Sequence, residues 1–142
     1  MSDAAEMDVA IFTVLDDPAL QALLPDGVYW GQASQGTIPK TKFVIVAQTH
    51  HEDQYEFQDE AFERFIYQIT ARAKESTSVT VDTAAARIRV LMAGLTTATG
   101  YEVAAVQRIE RIKYPDPDPG DPATLWQHAG GLYEILAQPT IP

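Results

Sequence analysis

The chain contains no cysteine. Disulfides, thiolate metal sites and cysteine nucleophiles are excluded. Positive charge is scarce: 10 Lys+Arg stand against 20 Asp+Glu, a formal net charge of -10. A basic footprint for gripping DNA or RNA is therefore missing. No run of the sequence approaches the ~20 apolar residues that a membrane span needs. The N-terminus, Met1-Ser2-Asp3-Ala4-Ala5-Glu6, is acidic and lacks the basic start of a signal peptide. The expectation is a soluble protein made in the cytoplasm of its producer. No G-x-S-x-G, P-loop or Rossmann glycine fingerprint occurs. Serines are few, and none sits in a nucleophile context. No internal repeat is visible.

What remains is one domain. The chain has 142 residues. At this size roughly 68–70% of the unfolded surface can be buried, enough for a core without staples.

Residues from Asp3 to Leu15 predict a helix, with Met7, Ile11, Val14 and Leu15 on one face. Asp16-Asp17-Pro18 ends it, because the residue before a proline avoids helical geometry. A short helical turn over Ala19–Leu24 and a turn at Pro25-Asp26-Gly27 follow. Val28-Tyr29-Trp30 is a short strand candidate, and Gly31–Lys40 reads as loop.

The centre of the chain predicts a long β-hairpin. Phe43–Thr49 is apolar on both sides, as expected of a strand that is central or covered twice. The return strand, Phe62–Lys74, alternates: Phe65, Tyr67, Ile69, Ala71 and Ala73 point one way. Arg64, Gln68, Thr70, Arg72 and Lys74 point the other. Between them, about 50–61, lies an acidic protruding loop carrying Tyr55 and Phe57.

A second helix is predicted from Thr80 to Leu95 on the stripe Val81, Ala84, Ala85, Ile88, Leu91, Met92 and Leu95. Arg87 and Arg89 face away from that stripe. A strand from Tyr101 to Tyr114 slips its alternation, predicting a β-bulge near Gln107–Ile109. The last strand, Leu125–Ala137, is interrupted by Gly130-Gly131, which suggests a bulge or a bend. The Pro/Asp connection at about 115–123 predicts a stiff polyproline segment, and residues 138–142 a frayed tail. The order of elements argues for an α+β fold: a mostly antiparallel β-sheet with two packed helices.

Chemistry finds no foothold in this pattern. His50 and His51 are adjacent, so on a strand they face opposite sides and cannot share one ion. Asp116, Asp118 and Asp121 imitate a calcium loop, but alternating prolines oppose the tight wrap it needs. Glu52, Asp53, Glu56, Asp59 and Glu60 offer paired carboxylates without a sugar cleft. No catalytic, cofactor-binding or metal residue is expected. Tyr55 and Phe57 are a different matter: aromatics in an acidic loop either tuck back on their own domain or are buried in a contact between subunits.

Several short phrases resemble the small tail-terminator, or tail-completion, proteins of long-tailed bacteriophages. They are Asp17-Pro18-Ala19-Leu20, Leu24-Pro25-Asp26-Gly27-Val28-Tyr29, Ile38-Pro39, Phe43-Val44-Ile45-Val46 and the Asp53-Gln54-Tyr55 tip. The strand Phe62–Ala73 and the helix Thr83–Leu95 extend the likeness over nearly the whole chain. Lys40–Lys42 and the Pro/Asp connection depart from that pattern.

The resemblance implies a non-enzymatic virion protein at the head-proximal end of the tail, assembled in the host cytoplasm. It implies a homo-oligomeric, hexameric ring that caps the tail tube protein and meets a head-side connector or neck protein. DNA would pass through its lumen without specific binding, and no membrane is involved. The expected subunit or tube interface is Glu52, Asp53, Gln54, Tyr55, Glu56, Phe57, Arg64 and Arg72. Two alternatives stay open at this point: another neck or head-tail joining protein, and a small acidic protein-binding module.

Overall fold

The structure, a computed structural model, describes the backbone of residues 4–31, 40–56 and 59–140, and their side chains except those of Ala4 and residues 52–61. The order is α1 (Ala4–Leu15), α2 (Pro18–Leu23), β1 (Val28–Trp30), β2 (Lys42–Glu56), β3 (Asp59–Lys74), α3 (Val79–Ala93), β4 (Thr97–Ala98), β5 (Tyr101–Asp118) and β6 (Asp121–Pro139). The strands form one sheet in the order β1-β2-β3-β6-β5-β4. Every neighbouring pair is antiparallel except β1 and β2. Among the described residues three helices form rather than two. No helix among the described residues is long and apolar enough to cross a membrane.

The core lies between the helices and one sheet face. Met7, Ile11 and Leu15 of α1 are fully buried, as their spacing predicts. Leu20 and Leu24 join them from α2 and its end. Val81, Ala84, Ala85, Ile88 and Met92 form the buried stripe of α3. The strand residues of the same cluster include Val44, Val46, Phe65, Tyr67, Ile69, Tyr133 and Ile135. Register explains this set: Tyr67 stands opposite Tyr133 and Phe65 opposite Ile135, so both strands present one parity to the helices.

Asp17 joins two helices. Its side chain caps α2 by accepting from the Leu20 amide at 3.0 Å. It also accepts both guanidinium contacts of Arg87 on α3, at 2.9 and 2.8 Å. That paired geometry, chiefly the Arg87 hydrogen bonds, lowers the Asp17 carboxyl to about 2. Arg87 does face away from the apolar stripe, yet it points at α2 and not into open water.

The structure corrects the sequence reading in four places. Of the loop expected at 50–61, residues 50–56 and 59–61 are strand: β2 runs to Glu56 and β3 starts at Asp59. The Pro/Asp connection is strand too, since β5 continues to Asp118 and β6 begins at Asp121. Pro115 pairs with Gln127 and Pro117 with Leu125. Prolines at alternate positions turn their missing N–H groups to one edge. Among the described residues β5 has a strand on only one edge here, so a sheet can hold them. The tail expected at 138–142 is paired as far as Pro139, opposite Tyr101, and the Thr140 amide donates to the Gly100 carbonyl at 2.9 Å. Its last two residues lie outside the described ones.

The fourth correction concerns Gly130-Gly131. Pairing runs through both without a shift, so neither marks a bulge. They are there because the neighbouring strands come close. A Cβ on Gly130 would sit 2.0 Å from the Ile69 carbonyl oxygen, and one on Gly131 would sit 2.5 Å from that of Glu110. The predicted bulge in β5 is present: Arg108 pairs with Tyr133 and Glu110 with Leu132, leaving Ile109 unpaired. A second shift, between Val103 and Ala105, has no counterpart in the prediction.

Two hairpins, β2–β3 and β5–β6, thus make up the middle of the sheet, and they point to opposite ends. β3 meets β6 from Glu63↔Ala137 to Lys74↔Trp126. The β2–β3 connection lies beyond the first pair, and the β5–β6 connection beyond the second. Past Glu63 the first hairpin has only its own two strands among the described residues.

Candidate functional site

The expected interface set divides three ways in the structure. Glu52, Asp53, Gln54, Tyr55 and Glu56 lie on β2, opposite Arg64, Glu63, Phe62, Glu60 and Asp59. Their side chains, and Phe57 altogether, lie outside the described residues. Arg64 is on the sheet face away from the helices, where its Nε donates to Glu134 at 2.6 Å. Gln107 donates to the other Glu134 oxygen at 2.9 Å. The Arg64 hydrogen bond, more than Gln107, holds the Glu134 carboxyl below its ordinary range.

Arg72 is on the same face but eight positions down the strand, about 27 Å at ~3.4 Å per residue. The structure therefore does not bring Arg72 to the tip. It stands opposite His128, and its Nε is buried without a hydrogen-bond partner. His128 is 6% exposed and stacks on Tyr114 at 4.4 Å. Burial pushes its imidazole below the usual histidine range, Arg72 pushes the same way, and Asp116 opposes them.

Among the described residues no reacting constellation emerges from the remaining polar groups. His50 stands opposite Ile66 and His51 opposite Phe65, hence on opposite faces. His51 lies 2.8 Å from the Glu63 carboxylate, which also accepts from the Tyr101 hydroxyl at 3.1 Å. His51 stacks on the buried Phe65 at 4.3 Å. Such a plug closes the end of the core. Among the described residues no group of three or more His, Asp or Glu could hold a metal.

Sequence reasoning missed a groove between α3 and β5. Its volume is about 520 Å³, and Asp82, Arg89, Val90, Arg108, Arg111 and Ile112 stand along it. A smaller hollow of about 270 Å³ continues it past Tyr133 and shares Arg89 and Arg108. Arg108 and Arg111 are three apart, so a regular strand would send them to opposite faces. The bulge at Ile109 puts both on the helix side, opposite Tyr133 and Gly131. A Cβ on Gly131 would come within 2.6 Å of the Arg108 side chain, so a glycine leaves room for that stem.

Electrostatically the groove is unlike the rest of the chain. Half of the six arginines line it, in a molecule of net charge -10. Among the described residues none of the three has an ion-pair partner. Asp82, the one carboxylate among the described residues of the groove, is taken by Lys113 at 3.0 Å and accepts from Ser78 at 2.9 Å. These contacts, Lys113 first, lower its carboxyl. Burial raises the Tyr133 hydroxyl, while the nearby guanidiniums of Arg108 and Arg89 pull the other way.

No protein-family model matches the chain, and no curated protein matches it. Solved structures do. One, described as "Virion of native gene transfer agent (GTA) particle", aligns with a TM-score of 0.71 at 14% identity, covering 95% of this chain and 96% of that one. A second aligns with a TM-score of 0.56 at 15% identity, over 100% of this chain and 99% of its own. At such identities the likeness is one of fold. This chain has the same architecture as a chain of a gene transfer agent virion.

Proposed function

We propose that the protein is a structural component of a virion, a ring that caps a tail tube. The ring ends tube polymerisation and gives the head-side connector its docking surface. The observation that carries this reading is the end-to-end correspondence with the virion chain, at a TM-score of 0.71 over 95% of this molecule. The resemblance of the Asp17–Tyr29, Phe43–Val46 and Asp53–Tyr55 phrases to tail terminators supplies the specific role.

Physical features support it. Capping a polymer needs surface complementarity and no reactive group. A ring of identical subunits needs one patch to meet a different patch on the next copy. Two hairpins aimed at opposite ends supply unlike surfaces on one subunit. Duplex DNA carries one negative charge per roughly 1.7 Å of axis, so an acidic ring repels it and does not trap it in transit.

The test is assembly without the protein. Tubes of uncontrolled length, or tails that never join heads, are expected by electron microscopy. Normal, head-joined tails would refute the assignment. A labelled chain found in particles away from the tube end would move it to a neighbouring neck position.

A further inference from the structure

We infer that the arginine groove between α3 and β5 receives the acidic tip of the β2–β3 hairpin from a second copy of this chain. The inference rests on the ring reading and names the contact that would build the ring.

Charge is the first argument. The tip sequence from residue 52 to 60 carries Glu52, Asp53, Glu56, Asp59 and Glu60 with no lysine or arginine. The groove holds Arg89, Arg108 and Arg111 against Asp82, which Lys113 already neutralises. In a chain with twice as many acids as bases, these are the complementary pair of patches.

Reach is the second. The groove lies level with Tyr133 and Gly131, hence with Tyr67 and Ile69 on β3. Asp59 is eight positions above Tyr67, about 27 Å along the strand. β2 and β5 are also separated by β3 and β6. A tip cannot fold back onto its own groove, so its occupant comes from another molecule. The tip and the groove sit on opposite halves of the sheet, as a head-to-tail contact requires.

Shape is the third. The groove floor includes Ala85, Ala129 and Gly130, and Ala86 and Ala93 stand on its helical wall. Small side chains keep it open between the guanidiniums. A phosphate backbone is the other anion of this size, but it would have to approach a molecule of charge -10.

The absence of cysteine makes the test clean. One batch carries Gln54→Cys at the tip, and another carries Ala86→Cys in the groove, neither altering a charge. Mixed under mild oxidation, they should form a disulfide heterodimer in clear excess over Gln54→Cys mixed with Val9→Cys, an exposed site on α1. Adding Arg89→Glu and Arg111→Glu should lower the yield about ten-fold, as expected of a few exposed charge pairs reversed together. Both arginines are exposed, so the fold does not depend on them. Glu56→Lys with Glu60→Lys in the tip partner should restore it.

Equal yields from the groove and α1 mixtures overturn the inference. Equal yields together with duplex DNA retention that the two reversals abolish overturn it in favour of a nucleic acid. A chain carrying both cysteines separates this from the ring reading. An open ladder that never closes leaves the contact standing and removes the ring. Rings seen on tubes with no tip-to-groove disulfide remove the contact and keep the ring.

Discussion

Replacing Gly130 by alanine adds a single methyl group where the β3 and β6 backbones run close together. That methyl would lie 2.0 Å from the Ile69 carbonyl oxygen and 2.8 Å from the Thr70 Cα, where ordinary contact begins at 3.4 Å. The backbones of β3 and β6 must therefore part by about 1.4 Å locally, the shortfall to ordinary contact. Neither strand can move freely, because β3 is held by β2 and β6 by β5. Overpacking of this kind costs about 3 kcal/mol or more when backbone must move. For a domain of this size that is about 10 °C in Tm. Gly131→Ala should cost less. Part of its crowding is the Arg108 side chain, and β5 lies nearer the sheet edge than β3. Urea denaturation of the three proteins measures the order directly. Stability of Gly130→Ala within about 0.5 kcal/mol of wild type would refute the reasoning, and so would a larger loss in Gly131→Ala.

Three further outcomes follow from particular groups. His128 has its pKa depressed by burial, so the stability it contributes is present above the unfolded value of 6.5 and is lost as pH falls. Urea midpoints of wild type should drop between pH 6.5 and 5, and His128→Phe should flatten that slope; an unchanged slope counts against the buried imidazole. Asp17, depressed to about 2 by Arg87, contributes fully above the usual carboxylate range and is lost as pH falls towards 2. The stability gap between wild type and Arg87→Met should therefore close on acidification, and a gap constant from pH 5 down to 2 would exclude the pair as its source. Replacing residues 54–60 by Asn-Gly should leave Tm near the wild-type value, because among the described residues that hairpin past Glu63 pairs only with itself, and should abolish incorporation into particles. Normal incorporation would remove the arm from the assembly interface.

How much was legible depended on whether sequence-local periodicity carried the information. The α3 stripe and the β3 alternation were plain, since Val81–Met92 and Phe65–Ala73 each repeat one period over many residues. The β1–β2 pairing was hidden, because Val28–Trp30 is too short to carry any period and its parallel partner lies 16 residues away. Both hairpin ends predict connections, because Glu, Asp and Pro are poor strand formers. Hydrogen bonding to an adjacent strand overrides that preference at Tyr55↔Glu60 and Pro117↔Leu125. The groove was illegible for a different reason. Arg89 comes from a helix and Arg108 and Arg111 from a strand, and only the fold brings the two elements together.

One signal for the groove was nevertheless present, and it yields the sharpest test of the register. The bulge predicted near Gln107–Ile109 is what places Arg108 and Arg111 on one face. Deleting one residue from a strand normally sends every later side chain to the wrong face. Here Arg108 pairs with Tyr133 and Glu110 with the adjacent Leu132, so Ile109 is the one residue between them without a partner. Its deletion joins two residues whose partners are already consecutive. Every pairing from Glu110 to Pro117 can persist, and both arginines keep their side. Ile109 is also 43% exposed, so little burial is lost. Stability should stay within about 1 kcal/mol of wild type, the scale of a surface change plus some local twist. Tip-to-groove cross-linking should survive as well. Deleting Thr70 from β3 instead breaks a register with β6 that is continuous from Glu63 to Lys74, and Ala71 to Lys74 must then swap faces. If both deletions prove equally destructive, Ile109 is not the unpaired residue, and the alignment of the arginines on the helix side fails with it.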